Sequence, residues 1–295
     1  MSKKSDITIL GHLALDLIEI DGISTKSLGG VPYYGGIAGS HMGLKITIIT
    51  RLKELDFSLL TIFKKKGINY YAYPSEETSG LKNIYSSNNI EFRTYEPLGF
   101  AGAFKVEEIP EINTNFFVIG PIVAGEIDLK LYNYLYKKYT NKICLDLQGF
   151  IRIRDYSRVF YRDLSEDEKE EILTKVLVLK LDQKEAEVIS HQNDIHNAAK
   201  QLIEYGPNEI LITHEKGISV FTTNESFFFP WKNKSSEGRT GRGDTAFISY
   251  LGSRLTKNPK ESLKFAAALT SLKLESPGPF ILPLYQVEEL IRREY

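Results

Sequence analysis

Hydrophobic and polar positions along this chain fall into two alternating rhythms. Short β-branched or aromatic runs (Ile7-Leu10, Ile46-Thr50, Phe116-Gly120, Ile143-Leu147, Val176-Leu179 and Ile210-Thr213) are spaced by amphipathic stretches such as Leu129-Tyr139, Lys184-Ser190 and Asp194-Tyr205. The runs are nearly unbroken by polar residues, as strands buried on both faces of a parallel sheet require. Strand, helix, strand repetition predicts an α/β fold: a doubly wound, mostly parallel sheet flanked by helices.

Two stretches depart from this rhythm. Residues 17–28 read as a hairpin turning at Asp21-Gly22. Residues 80–96 alternate polar with apolar or aromatic positions, with Ile84, Ile90 and Phe92 on the apolar side. A short second sheet cannot make its own core, so both are expected to form a small β lid inserted in a single domain spanning 1–295. After Phe221 a pair of strands is expected to turn at Thr223-Asn224-Glu225.

Composition narrows the function classes. The net charge is -1, from 37 basic and 38 acidic residues that are interspersed, which is not the footprint of a nucleic-acid or membrane-surface binder. The one cysteine, Cys144, excludes an internal disulfide framework and a cysteine-based zinc site. It lies in the apolar run Lys142-Ile-Cys-Leu-Asp-Leu147 and reads as a buried strand residue. The histidines at 12, 41, 191, 196 and 214 show no zinc spacing. No apolar run of about 18 residues predicts a membrane helix, and Met-Ser-Lys-Lys-Ser-Asp leads straight into the first strand, so a cytoplasmic protein is expected. There is neither a Gly-x-x-x-x-Gly-Lys-Ser/Thr loop nor a Gly-x-Gly-x-x-Gly after the first strand, which argues against P-loop kinases and dinucleotide-binding dehydrogenases.

Chemistry concentrates in Glu237-Gly-Arg-Thr-Gly-Arg-Gly-Asp244, followed at once by Thr-Ala-Phe-Ile-Ser-Tyr-Leu251 with helical spacing. Glycines directly before a helix start let unpaired, partly positive N–H groups converge on an anion, above all a phosphate. Asp244 then admits two readings. It is a first-turn acid that stabilises the helix, or it faces a substrate hydroxyl and takes its proton as a phosphoryl group arrives.

Gly-Arg-Thr-Gly-Arg-Gly-Asp244 resembles the signature of the PfkB/ribokinase family of carbohydrate kinases, usually Asp-Thr-x-Gly-Ala-Gly-Asp; Gly241, Gly243 and Asp244 match, while Gly238, Arg239 and Arg242 depart. A second motif, Leu28-Gly-Gly-Val-Pro-Tyr-Tyr-Gly-Gly-Ile-Ala-Gly-Ser-His-Met-Gly-Leu44, resembles the family's N-terminal Gly-Gly, helix, Leu-Gly pattern, with Tyr34 where an Asn is frequent. The resemblance covers nearly the whole chain. It implies ATP- and magnesium-dependent phosphorylation of a hydroxyl, with Asp244 as base and Gly241, Arg242 and Gly243 in the turn that holds the developing charge. It further implies that Asp16, an acid ending the first strand, with Gly29, Gly30, Tyr34 and Gln148, contacts the sugar or polyol; Arg152, in a stretch that follows a strand's carboxyl end, is a substrate-site candidate whose planar fork would clamp the transferring phosphoryl group.

Three further stretches resemble the family's nucleotide side. Lys180-Leu-Asp-Gln-Lys-Glu-Ala186 resembles Lys-Pro-Asn-x-x-Glu-Ala, which implies Lys180 near the nucleotide and Asp182 and Glu185 near magnesium. Thr213-His-Glu-Lys-Gly217 resembles the loop over ATP, and Ala266 to Gly278, including Ala268 and Ser271, resembles the adenine wall. Asp146-Leu-Gln-Gly-Phe-Ile-Arg152 and Ser276-Pro-Gly-Pro279 look like the branch containing myo-inositol kinases, so myo-inositol is the expected substrate. A nucleoside kinase with Tyr33 or Tyr34 stacked on the base is the nearest alternative, and a non-catalytic ligand-binding protein a more distant one. A monomer, or a homodimer formed through the lid, is expected.

Overall fold

The computed structural model describes residues 3–295, apart from the side chains of residues 3 and 89–92. The first two residues of the N-terminal stretch and the side chains of Ile90 and Phe92 therefore lie outside the described residues. Among the described residues the strands are β1 (Lys3–Leu10), β2 (Ala14–Ile20), β3 (Ile23–Gly29), β4 (Ile46–Lys53), β5 (Asn69–Ser75), β6 (Gly80–Ser86), β7 (Asn89–Gly99) and β8 (Ile112–Ile119). They continue with β9 (Ile143–Asp146), β10 (Arg152–Arg154), β11 (Val159–Tyr161), β12 (Val178–Asp182), β13 (Glu209–His214), β14 (Gly217–Thr222) and β15 (Ser226–Pro230). The helices are α1 (Gly30–His41), α2 (Thr61–Lys65), α3 (Leu129–Lys138), α4 (Gln148–Ile151) and α5 (Glu166–Leu173), then α6 (Gln183–Ser190), α7 (Ile195–Ile203), α8 (Arg242–Arg254), α9 (Pro259–Leu274) and α10 (Leu284–Glu294).

The main sheet has the order β15-β14-β13-β12-β9-β8-β1-β4-β5. It is parallel from β13 to β5 and closes on the other side with the antiparallel pair β14 and β15. All six predicted core strands lie in it. The strand expected at Val176-Leu179 is displaced to Val178–Asp182, because the chain first leaves α5 through the turn at 174–176. β5 was not anticipated. Its Asn69-Tyr-Tyr-Ala-Tyr-Pro-Ser sequence is half exposed at the sheet edge, where Pro74 is tolerated and apolar continuity is not demanded. Residues such as Ile9, Val118, Leu145, Leu179 and Ile212 are fully buried between the helical layers, and Cys144 is buried with them in β9.

Strands β3-β2-β6-β7 form a separate four-stranded sheet. Its buried side chains in β6 are those of Leu81, Asn83 and Tyr85, so the face expected from Ile84 is inverted: Ile84 is only half buried. A two-stranded ribbon, β10 and β11, follows α4. Chain order reverses on either side of β1, where β4 pairs with one edge and β8 with the other. Crevices beyond the carboxyl ends of strands at such a switch point are where doubly wound sheets place ligands.

Candidate active site

The carboxyl ends of β9, β12 and β13, the small sheet and the start of α8 converge on one cavity. Gly241 is the N-cap of α8 in left-handed backbone (φ 81°). A side chain there would be strained, and its Cβ would sit 2.2 Å from Tyr34 Cγ, so the turn closes this tightly only with glycine. The first helical turn leaves N–H groups without intrahelical partners. Arg242 N bonds back to Arg239 O at 3.3 Å, while Gly243 and Asp244 border the cavity. From α9, buried Lys273 donates to the carbonyls of Gly238 and Thr240, and its ammonium lies 4.9 Å from the Tyr34 ring centroid. Burial pushes the Lys273 ammonium down to about 7.

Asp16 is not at the end of the first strand, as expected from sequence. β1 stops at Leu10, and Asp16 is the third residue of β2, because the chain turns through Gly11–Leu13 before entering the small sheet. Its Oδ1 accepts from Leu81 N at 2.8 Å. A Cβ at Gly29 would sit 2.1 Å from Asp16 Oδ2. Gly29 therefore does not line the cavity; it makes room for the carboxylate that does. Burial pushes Asp16 up to about 7, the Leu81 N–H opposing and the nearby Asp244 adding to the rise. Asp244 is likewise raised by burial, against the pull of Lys180, Arg93, Arg152 and Lys273.

The wall at the strand ends is a chain of ion pairs. Lys180 Nζ reaches both oxygens of buried Asp146, at 3.1 and 3.0 Å, and lies 3.9 Å from Glu185 Oε2. Arg152 Nη2 donates to Glu185 Oε1 at 3.2 Å, and Nη1 to the Ile122 carbonyl at 3.4 Å. Arg152 Nε is buried without a hydrogen-bond partner among the described residues, an orphan donor that an anion would satisfy. Asp182 and Glu185 form a capping box on α6: Glu185 N donates to Asp182 Oδ1 at 2.8 Å and Asp182 N to Glu185 Oε2 at 2.7 Å. Burial raises Glu185 and Asp182 adds to it. For Asp182 burial is outweighed by Lys180 and the Glu185 N–H, and its carboxyl is held low.

This bears on magnesium. Each Glu185 oxygen already accepts one hydrogen bond, from Arg152 and from the Asp182 N–H, and no group of three or more metal-ligating side chains occurs among the described residues. The pair does not fit a metal held by side chains alone. Glu185 is better described as the anchor of Arg152 and α6 than as a metal ligand.

Tyr34 is 2% exposed. Its ring is covered by Gly241 and Lys273, with Tyr33 edge-on at 4.9 Å. At that exposure it offers little ring surface to stack on a base or a sugar, though it still lines the cavity. Gly30, Gln148, Arg152, Lys180, Asp182, Glu185, Thr213 and Gly241–Asp244 all line the one cavity with Asp16 and Tyr34.

No family model matches the sequence. A pyrophosphate-dependent kinase in the ribokinase family, solved in complex with sulfate, aligns at TM-score 0.88 and 30% identity, covering 96% of this chain and 99% of that one. The chain belongs to the ribokinase family. A pyrophosphate-dependent ribokinase-family kinase complexed with a pyrophosphate analog and myo-inositol aligns at TM-score 0.87 and 29% identity, covering 96% of this chain and 99% of that one. The cytidine kinase of Thermococcus kodakarensis is 25% identical over 274 residues, 87% of this chain and 91% of that protein. This ribokinase-family chain is thus a phosphotransferase, a carbohydrate or nucleoside kinase. Among its described residues no helix is long and apolar enough to cross a membrane.

Three residues expected on the nucleotide side of the ribokinase-type site do not reach the cavity. Ala268 and Ser271 are fully buried in α9. The Ser271 hydroxyl donates to Ala267 O at 2.7 Å, accepts from Lys232 N at 2.9 Å and lies 3.3 Å from Tyr295 Oη. Gly217 is paired within β14, where a Cβ would lie 2.3 Å from Phe229 O, because Thr213-His-Glu-Lys-Gly217 is a tight hairpin between β13 and β14 and not an open loop. Conversely, Asn83, Arg93, Tyr95, Arg239 and Thr240 line the cavity unanticipated. A period of two along β6 and β7 was the signal for the first three. Along the sequence alone, that period indicates only that one face is wet.

Proposed function

We propose that this kinase phosphorylates a hydroxyl of a small cyclic polyol or sugar, with myo-inositol the acceptor of first choice. The observation that carries the reading is the convergence of two half-buried or buried carboxylates, Asp16 from the small sheet and Asp244 from the first turn of α8, on one cavity that also presents Gln148, Asn83 and Arg152. Asp16 accepts hydrogen bonds from acceptor hydroxyls. Asp244 takes the proton of the attacking hydroxyl while its oxygen bonds to phosphorus and the donor's bridging P–O bond breaks, the leaving phosphate keeping the electron pair. The N–H groups of Gly243 and Asp244, with Lys180 and Arg152, offset the charge on the moving phosphoryl group. The small sheet acts as a lid that excludes water. The 29%-identical neighbour complexed with myo-inositol supports the acceptor. Coverage of the Tyr34 ring counts against the nucleoside alternative that the cytidine kinase relative keeps in view.

ATP is the donor implied for the family at large. The buried positions of Gly217, Ala268 and Ser271 favour a second reading, a donor without a nucleoside, and the 30%-identical neighbour is pyrophosphate-dependent. The test is a grid of ATP and pyrophosphate, both as magnesium salts, against myo-inositol, ribose, fructose, adenosine and cytidine, scored by phosphorylated product. Myo-inositol highest in kcat/KM with either donor supports the proposal. A nucleoside at the top overturns the acceptor, and pyrophosphate without ATP turnover settles the donor.

A further inference from the structure

We propose that Arg93, on β7 of the small sheet, is a catalytic residue that meets the phosphoryl group in transit as a second guanidinium beside Arg152. The inference rests on the phosphotransfer reading above.

Arg93 lines the cavity. Its Nη1 donates to Tyr85 Oη at 3.1 Å, and Tyr85 Oη lies 3.0 Å from Thr240 Oγ1. The guanidinium is therefore tied, through one phenol, to the residue preceding Gly241 in the phosphate-holding turn. Arg93 Cζ is 5.0 Å from the Tyr95 ring centroid and Arg152 Cζ is 4.9 Å from the same centroid, so both cations rest on one aromatic side chain. The charge of Arg93 acts to lower the carboxyls of Asp16, Asp182 and Asp244. It lies within electrostatic reach of the acceptor carboxylate, the base and the donor-side cap at once.

The other cations of the wall have fixed partners: Lys180 is held by Asp146, and Arg152 by Glu185. Arg93 makes no carboxylate ion pair among the described residues. A partly desolvated guanidinium with no carboxylate in direct contact keeps donors for an arriving anion, and its planar fork matches phosphoryl oxygens. A neutral polyol supplies no such charge, whereas the transferring group carries negative charge on three equatorial oxygens. As the acceptor oxygen bonds to phosphorus and the donor bond breaks, Arg93 forms no covalent bond. It gives N–H groups to those oxygens, while the hydroxyl proton passes to Asp244.

The variants are Arg93→Ala and Arg93→Lys, assayed with myo-inositol and whichever of pyrophosphate and ATP the parent uses, alongside thermal unfolding. For Arg93→Ala we expect kcat to fall about 100-fold or more, with KM for myo-inositol within about threefold of the parent, as loss of an interaction made only in the transition state requires. Arg93→Lys, which keeps charge without the fork, should recover only part of kcat. Guanidinium ion at non-denaturing concentration should raise the rate of Arg93→Ala and not that of the parent, a response that a purely structural role would not give. Should Arg93→Ala fail to fold, Arg93→Lys carries the kinetic test alone. A kcat within threefold of the parent in whichever variant folds overturns the proposal. So does a tenfold rise in acceptor KM at constant kcat with ribose 5-phosphate preferred over myo-inositol, which would assign Arg93 to a charged acceptor. A parent that turns over no donor–acceptor pair overturns the phosphotransfer reading itself, and this proposal with it.

Discussion

At the scale of single residues, the site depends on carboxylates displaced from their ordinary protonation range. Asp244→Asn should lower kcat by about 10² to 10⁴, the usual contribution of a positioned base, while donor affinity holds or improves because a charge beside a polyphosphate is removed. Turnover near the parent's would leave Asp244 as a helix-start acid only. Asp16, pushed up to about 7 by burial, is an anionic hydroxyl acceptor above that pH and a protonated one below it. Acceptor KM should therefore rise as pH falls from 8 towards 6, measured as a KM–pH profile, and Asp16→Asn should flatten that profile at a raised KM. The identities of Asp16, Asp244, Gln148 and Arg152 were legible in the chain because they sit in motifs. What Tyr34 does was not legible. Its ring packs against Gly241 and Lys273, 207 and 239 positions away in sequence, and no local pattern encodes such a contact.

At the scale of elements, two helix starts organise the chemistry. The turn before α8 is held from below by Lys273, whose contribution carries a sign that can be checked. Its ammonium is depressed from 10.5 to about 7 in the folded protein, so the unfolded chain binds the extra proton between those values. The Lys273 contribution is fully present above about pH 10.5 and is lost as pH falls towards 7, with a slope of at most about 1.4 kcal/mol per pH unit. In Lys273→Met that component of the denaturant-melt pH dependence should vanish, and kcat should fall as the Gly238 and Thr240 carbonyls lose their donor. The start of α6 is the capping box of Asp182 and Glu185. Glu185→Gln should cost about 1 to 3 kcal/mol of stability, since it weakens a buried charged partner of Arg152, and should leave the midpoint of a magnesium titration unchanged. A large shift of that midpoint would restore Glu185 to the metal's neighbourhood. Helix starts of this kind are visible in sequence as acids at the right spacing. Which of their oxygens remain free is settled only by packing.

At the scale of the whole molecule, the doubly wound sheet followed from six apolar runs alternating with amphipathic stretches, and the separate small sheet from two stretches that broke the pattern. The half-exposed edge strand β5 escaped because edge position relaxes the apolar requirement that made the other strands visible. The inward face of β6 was misjudged because Leu81, Asn83 and Tyr85 mix polar with apolar residues on the side that meets the cavity. A binding surface violates the hydrophobic alternation that a core would obey.

Cys144 gives this architecture a built-in reporter. The chain's one thiol is fully buried in β9, with neighbouring strands on both sides, and burial pushes it well above the ordinary thiol range. An alkylating reagent reaches it only when the central sheet opens, so its labelling rate reads out the rarest, most global openings of the native ensemble. A ligand that binds only the closed form makes those openings rarer. At about 100 times its Kd, a true acceptor or donor should stabilise by about 2.7 kcal/mol and slow labelling about 100-fold. Compounds that leave the rate unchanged at millimolar concentration are not ligands of the native cavity. The silent cysteine thereby converts the search for this enzyme's substrates into a protection experiment, independent of turnover.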